Sequence, residues 1–468
     1  VTVGVQLTAQ DTVEQALELA AGAGADGCAV LVDESASANL RWANNTLTTN
    51  GVMHSSQVTV IATVGAGEGT AAGVVSRTAV TDDALGDLVT AAIAAARASA
   101  PAEDARPLVE GGVAPGWDDE PGETSIQVYD AFAPALGEAL RRASKQNRRL
   151  YGYAEHRLVT TYLGSSTGIR LRHEQPAGHV TVTAKSADLT RSAWVGSATR
   201  DFTDVDVTAL DTELTRRLGW SQRQVEIPAG RYPTVLPPAA VADLATYLYW
   251  TMEARDAFEG RSVFASPEGG TRVGEQLTPH PVTLRSDPRY AGLECAPYAV
   301  AHASSAVSSV FDNGLTLTPT DWIRGGRLES LLQTRFSADL TGLAVTPWID
   351  NYLLEVDGAT GSVDDLVAGL GDGLLLTCLW YIRMVDPQTL LLTGLTRDGV
   401  YVVEGGEVTG VANNFRFNES PLDLLGRFTA AGATVPAFSR EWGDEFPRTA
   451  TPPLLVPDFN MSSVSQAS

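Results

Sequence analysis

Residues 236–264 read LPPAAVADLATYLYWTMEARDAFEGRSVF. Pro237 and Pro238 suit a helix start, because proline presets φ and its missing N–H is not needed in the first turn. Val241, Leu244, Ala245, Leu248 and Met252 then recur at steps of three and four, which builds one apolar helical face. The spacing predicts a helix over 238–258 that serves as scaffold, with Met252 turned into a core. Beyond Met252 come Glu253, Asp256, Ala257, Glu259 and Gly260, and the whole stretch contains no histidine.

Working outward, 468 residues exceed one ordinary domain, so two or three units are expected. With 44% hydrophobic and 19% charged residues the composition is that of a folded globular protein. The formal charge is −23, from 33 basic against 56 acidic side chains. That disfavours nucleic acid and anionic membrane as partners, since both reward clustered cations. The only lysines are Lys145 and Lys185, a bias typical of G+C-rich coding. Cys28, Cys295 and Cys378 are widely spaced and form no CxxC, which fits buried thiols in a reducing cytoplasm. The opening VTVGVQLTAQDTVEQAL lacks the basic and apolar regions of a leader, and the longest apolar run, 374–382, is too short to span a bilayer.

The expected fold class is α+β, with N-terminal α/β units followed by a large antiparallel β-rich C-terminal domain. Residues 1–110 read as the first unit. Thr12 and Gln15 suggest a capping box, 28–33 a strand, 40–51 and 56–65 paired strands, and 82–99 a helix. GAGEGT (65–70) suits a hairpin turn better than a phosphate loop, because no helix opens directly after it. The Pro-, Gly- and acid-rich 100–125 reads as a linker. The second unit, 111–222, carries helices near 129–144 and 205–218 around strands at 152–160, 168–174 and 178–186. The third, 223–468, begins before the opening helix and continues in short strand-like runs such as HPVTLRSD, SSAVSSVFDNG and NYLLEVDG.

Several of these runs resemble the TldD/PmbA family of metallopeptidase-related proteins. FDNGLTLTPTDWIRGGRLESLLQTRFSADLTG (311–342) is similar to its sequence of an Asp…Gly turn, an apolar strand, Gly-x-Leu, then Thr-Arg and Ala. NYLLEVDG (351–358), LTGLTRDGVYVVEGGEVTGV (392–411), LRWANNTL (40–47) and SSTG (165–168) resemble further family elements. Catalytic members carry HExxxH on the opening helix and a cysteine near the C-terminus, which together bind zinc. Here Met252 and Ala257 stand at the histidine positions, or Thr251 and Asp256 if Glu259–Gly260 sets the register, and TPPLLVPDFNMSSVSQAS holds no cysteine. The resemblance therefore points to the TldE/PmbA type. Such a chain is a non-catalytic, cytoplasmic subunit paired with a TldD-like partner that supplies the zinc and cleaves small or unfolded peptides.

Zinc hydrolysis needs three or more N, S or O ligands and an open position. HEQPAGH offers His173 and His179, with His156 as a third ligand on a neighbouring strand. Pro176 and Gly178 oppose a helix there, and a hairpin turn is the competing reading. A self-sufficient metallopeptidase with that rearranged site is one alternative; a homodimeric peptide-binding scaffold is another. Glu253 lacks a metal to work with and is expected to pair with Arg255 or Arg261. Phe311, Asp312, Asn313 and Arg335 are candidates for orienting a peptide or an interface. Core packing for Phe311 and a plain ion pair for Asp312 and Arg335 stand beside that reading.

Overall fold

The computed structural model describes residues 7–465. Part of the opening VTVGVQLTAQDTVEQAL and the last residues of the tail TPPLLVPDFNMSSVSQAS lie outside them. Six long strands form the first sheet: β1 Gly27–Ala43, β2 Thr46–Ala66, β3 Gly69–Thr78, β4 Arg148–Ser165, β5 Arg170–Ser186 and β6 Ser192–Thr199. Their order is β3-β2-β1-β4-β5-β6, all antiparallel. β1 pairs with β4 from Ala29↔Ser165 to Trp42↔Gly152, so one sheet runs across the boundary expected at residue 110. The β1–β2 hairpin closes on Asn44 and Asn45, at φ 51° and 62°. That is the primed turn whose twist matches paired strands, and asparagine tolerates it. GAGEGT is likewise the β2–β3 turn.

Four helices cover one face of this sheet: α1 Ala9–Gly22, α2 Asp82–Ala98, α3 Phe132–Lys145 and α4 Val207–Trp220. The period-two alternation of β1 sets the division of labour. Val30 and Val32 join the core under α1 and α2, while Ala38, Leu40 and Trp42 join that under α3 and α4. Ala29 and Leu31 point the other way and pack with Tyr298 and Phe311 of the C-terminal half. α2 lies so close to β3 that a Cβ on Gly73 would stand 2.1 Å from the Ala92 carbonyl oxygen.

Local readings needed correction in this half. α1 starts at Ala9, capped by the Thr8 hydroxyl, which accepts the Asp11 N–H; Thr12 lies inside the helix. The supposed linker is a strap: Trp117 is buried edge-on to Tyr162, and the Tyr162 hydroxyl donates to the Asp119 carbonyl. HEQPAGH forms no turn and is the middle of β5. Pro176 is tolerated there because β6 pairs with β5 only from Gly178 onward, leaving Pro176 on an edge.

The C-terminal half contains two sheets. One has six strands in the order Arg327–Leu328, Thr320–Arg324, Val282–Ser286, Tyr352–Val356, Thr449–Thr451, Val435–Ala437. The other has ten and includes Gly230–Leu236, Gly373–Leu376 and Leu454–Val464. The pairing is mainly antiparallel, so the chain is α+β as expected. SSAVSSVFDNG forms no strand; it is loop ending in a 3-10 turn at Val310–Asp312. Between the two sheets runs α5, Pro238–Trp250, buried on nearly every side. Among the described residues no helix is long and apolar enough to cross a membrane.

Candidate functional site

The opening helix stops earlier than its apolar spacing predicts. The Thr251 hydroxyl donates back to the carbonyls of Tyr247 and Leu248, both at 3.0 Å. The chain then runs extended: the Leu332 N–H donates to the Met252 carbonyl (2.7 Å) and the Ala254 N–H to the Leu332 carbonyl (3.1 Å). A short helix, α6 Ala254–Phe258, follows. The break comes from pairing with residue 332, a partner no local pattern announces.

Met252 and Ala257 are both fully buried in the C-terminal core. A thioether and a methyl offer a zinc ion nothing of the imidazole pair. In the other register Thr251 is engaged with the helix end, and the Asp256 carboxylate pairs with Arg261 at 2.6 Å. Neither register fits the metal. Among the described residues no three His, Cys, Asp or Glu side chains converge elsewhere. The expected ion pair of Glu253 does not form: Arg255 binds Glu103 and Glu259, and Arg261 binds Asp256 and Glu259. Burial, reinforced by the Asp256 charge, pushes the half-buried Glu253 up to about 6.

The histidines do not assemble. His173 and His179 lie six residues apart on β5, about 20 Å along a strand. His156 stands opposite Gly178 and so points to the other face of the sheet. Its ring nitrogens are engaged by the Thr124 hydroxyl (2.7 Å) and the Arg200 carbonyl (2.6 Å). His179 stacks on Phe438, and His173 bonds Gln175 at 3.0 Å and meets Tyr298 edge-on. Burial lowers the pKa of all three.

The quartet at 311–335 is brought together. Phe311 is buried between the first sheet and the C-terminal half. Asp312, also buried, accepts the Arg335 Nε–H at 2.6 Å and the Arg335 backbone N–H at 3.0 Å, at the start of α7, Arg335–Thr341. The Asn313 amide binds both main-chain groups of Ala301. These bonds hold the loop over a mainly apolar cavity of about 400 Å³, lined by Tyr298, Val300, Asp312, Leu317, Trp348 and Asp350 among others. A second cavity of about 400 Å³ lies between the outer edge of β6 and the Val435–Ala437 strand, with Arg200, Leu293, Glu294 and Arg448 in its walls. Asp350 of the first cavity and Arg448 of the second form an ion pair. Burial raises the Asp350 carboxyl, against the guanidinium beside it.

Three further features escaped the sequence reading. Asp243, fully buried in the middle of α5, accepts the backbone N–H groups of Arg440 (3.1 Å) and Glu441 (2.8 Å). Burial pushes its carboxyl up to about 8. One acid inside the apolar AVADLATYL was the available signal. Asp33 accepts His302 Nε2 (2.6 Å) and the Thr161 hydroxyl (2.6 Å), tying the 299–309 loop to β1; this contact raises the His302 pKa. Gly196 on β6 lies beneath Phe438, and nothing local marks it. The three cysteines are free and buried, and burial pushes each thiol up to about 12.

The family model of the PmbA/TldA metallopeptidase C-terminal domain matches residues 229–463, about half of the chain. No curated protein matches it in sequence. Among solved structures, TldE from Thermococcus kodakarensis superposes with a TM-score of 0.76 at 16% identity, over 96% of this chain and 99% of that one. A Thermotoga maritima protein, provisionally described as a modulator of a DNA gyrase, gives 0.75 at 16% identity over 97% and 100%. A Bacteroides thetaiotaomicron protein of the same description gives 0.75 at 14% identity over 97% and 98%. At these identities the likeness is one of fold.

Proposed function

We propose that this chain, which belongs to the PmbA/TldA metallopeptidase family, is the non-catalytic, cytoplasmic subunit of a two-chain zinc metallopeptidase of the TldD/TldE kind. Its partner supplies the zinc and cleaves small or unfolded peptides. This chain completes the substrate cleft and stabilises the partner. The observation that carries the reading is the pair Met252 and Ala257, apolar and sealed in the core where catalytic members place histidines. The TldE name of one structural neighbour supports it. The kept fold supports it too, because a subunit that assembles must preserve its shape after its metal site is gone.

Co-purification with an HExxxH-bearing homologue, with peptidase activity appearing only in the mixture, is the expected result. Zinc-dependent cleavage by this chain alone would overturn the reading. A stable homodimer that ignores every such homologue would favour the peptide-binding scaffold instead.

A further inference from the structure

We propose that the helix-free face of the first sheet, at the end where β1, β4 and β5 lie side by side, binds single-stranded nucleic acid. Tyr151 and Tyr153 stack on bases there, and Arg41, Arg149 and Lys185 meet phosphates. This rests on a different observation from the subunit reading, and either can fail alone.

The strand register decides which side chains share that face. Trp42, Leu150, Ala154, Val182 and Ala184 enter the core under α3 and α4. Their neighbours along each strand therefore point the opposite way. Arg41 stands beside Tyr153, and Tyr153 beside Thr181; Tyr151 stands beside Thr183, and Arg149 beside Lys185. Aromatic and cationic side chains thus follow one another in adjacent rows. The two half-buried tyrosines are about 7 Å apart along β4, which leaves each ring room for its own base. Over these rows lies a trough of about 410 Å³, lined by Arg41, Tyr151, Gly152, Tyr153, Thr181 and Thr183.

The formal charge of −23 is an average over the chain, and this face departs from it. Arg148, one residue away on the helix side, is paired with Asp211. Among the described residues Arg41, Arg149 and Lys185 have no carboxylate partner; Arg149 holds only the Asn44 side-chain carbonyl, at 2.9 Å. The chain's two lysines are both at this end of the sheet, Lys185 on β5 and Lys145 in the last turn of α3, just before β4 begins. Asp188, in the turn after Lys185, is taken up by Ser186 and Thr190. Glu155 stands opposite His179, on the side away from Arg149 and Lys185, and bounds the cationic rows there. Burial, and then the Glu155 charge, push the Tyr153 phenol up to about 12, so it remains a neutral stacking ring.

Single strands are held by this combination, because cations follow the backbone while aromatic rings stack on any base. An antiparallel sheet with aromatics on its open face seats two or three bases in that way. An acidic peptide or a bare polyanion would use the cations and leave the tyrosines idle, which separates those occupants from the one proposed.

The test uses the full chain and fluorescein-labelled decathymidylate, followed by anisotropy. Micromolar binding that weakens at least tenfold from low to physiological salt is expected. Tyr151→Ala with Tyr153→Ala should weaken it at least fivefold and keep the salt dependence. Arg149→Glu with Lys185→Glu should weaken it at least tenfold and flatten that dependence. Arg77→Glu, at an exposed cation on β3, should change it less than twofold. A decamer carrying 5-iodouracil should cross-link under ultraviolet light to Tyr151 or Tyr153, a readout that needs no variant to fold. No binding up to millimolar oligonucleotide, or cross-links only elsewhere, overturns the proposal. So does binding that the tyrosine variants leave intact and that polyglutamate or polyphosphate of equal charge displaces fully.

Discussion

The α5–α6 segment and the β6 cleft show two opposite fates for polar groups in one fold. Met252 and Ala257 pack into an apolar core, and the main chain between them is closed by Leu332. Along β6 the outward main chain of Gly196 and Ala198 borders a cavity in which Arg200 and Glu294 pair with each other while Asp201 and Asp204 take only threonine donors. The first region is packing. The second has little chemistry of its own.

The sharpest way to break this contrast is to put the histidines back. Met252→His with Ala257→His places two imidazoles in a dry core and should lower stability by about 3–5 kcal/mol, as buried unsatisfied polar groups do. Chemical denaturation measures the loss, and metal analysis should find no stoichiometric zinc. Tight zinc binding by the double variant would show that the site is dormant and not dismantled.

Asp243→Ala comes next. It strips the acceptor from two backbone N–H groups and should cost about 3 kcal/mol, with faster hydrogen exchange confined at first to 439–446. Unchanged exchange there would mean that the loop is held by its aromatic contacts alone. Arg335→Met leaves the Asp312 carboxylate buried with only a backbone donor; a loss of about 2 kcal/mol and loosening of the 299–313 loop are expected.

The smallest effect concerns pH. His302 has its pKa raised in the folded state by Asp33, so its contribution is fully present below the unfolded value of about 6.5. It is lost as pH rises through the folded-state value. The pair is partly exposed and is worth less than about 1 kcal/mol. Thermal midpoints of the native chain should fall across that window, and His302→Gln should remove this part of the slope.

Much of the fold was legible where order is local. Pro237 and Pro238 marked the start of α5 and NYLLEVDG a strand, whereas 40–51 and 56–65, read as two paired strands, fall around a turn at Asn44–Asn45 and within the single strand β2. Errors clustered where a distant partner overrides the local signal. Pro176 and Gly178 read as a turn, but β4 holds them in a strand. Residues 100–125 read as a linker, but Trp117 has Tyr162 to lie on. In the candidate site, the contact between Asp312 and Arg335 was foreseen as one of two readings, and the tertiary structure joined it to a cavity wall. Asp243 and Gly196 were missed, because a lone acid and a lone glycine acquire meaning only from what packs against them.

The sequence by itself determined that the residue types at 251, 252, 256 and 257 exclude a histidine pair in either register, whatever the fold. It also determined the α+β class, since periodicities of two and of three to four residues are properties of the chain. Only the tertiary structure decided that the helix breaks at Met252, that the first two units share one sheet, and that two sheet edges face a common cleft. Those outcomes depend on pairings across tens to hundreds of residues, and backbone hydrogen bonds carry no sequence signature of the partner they choose.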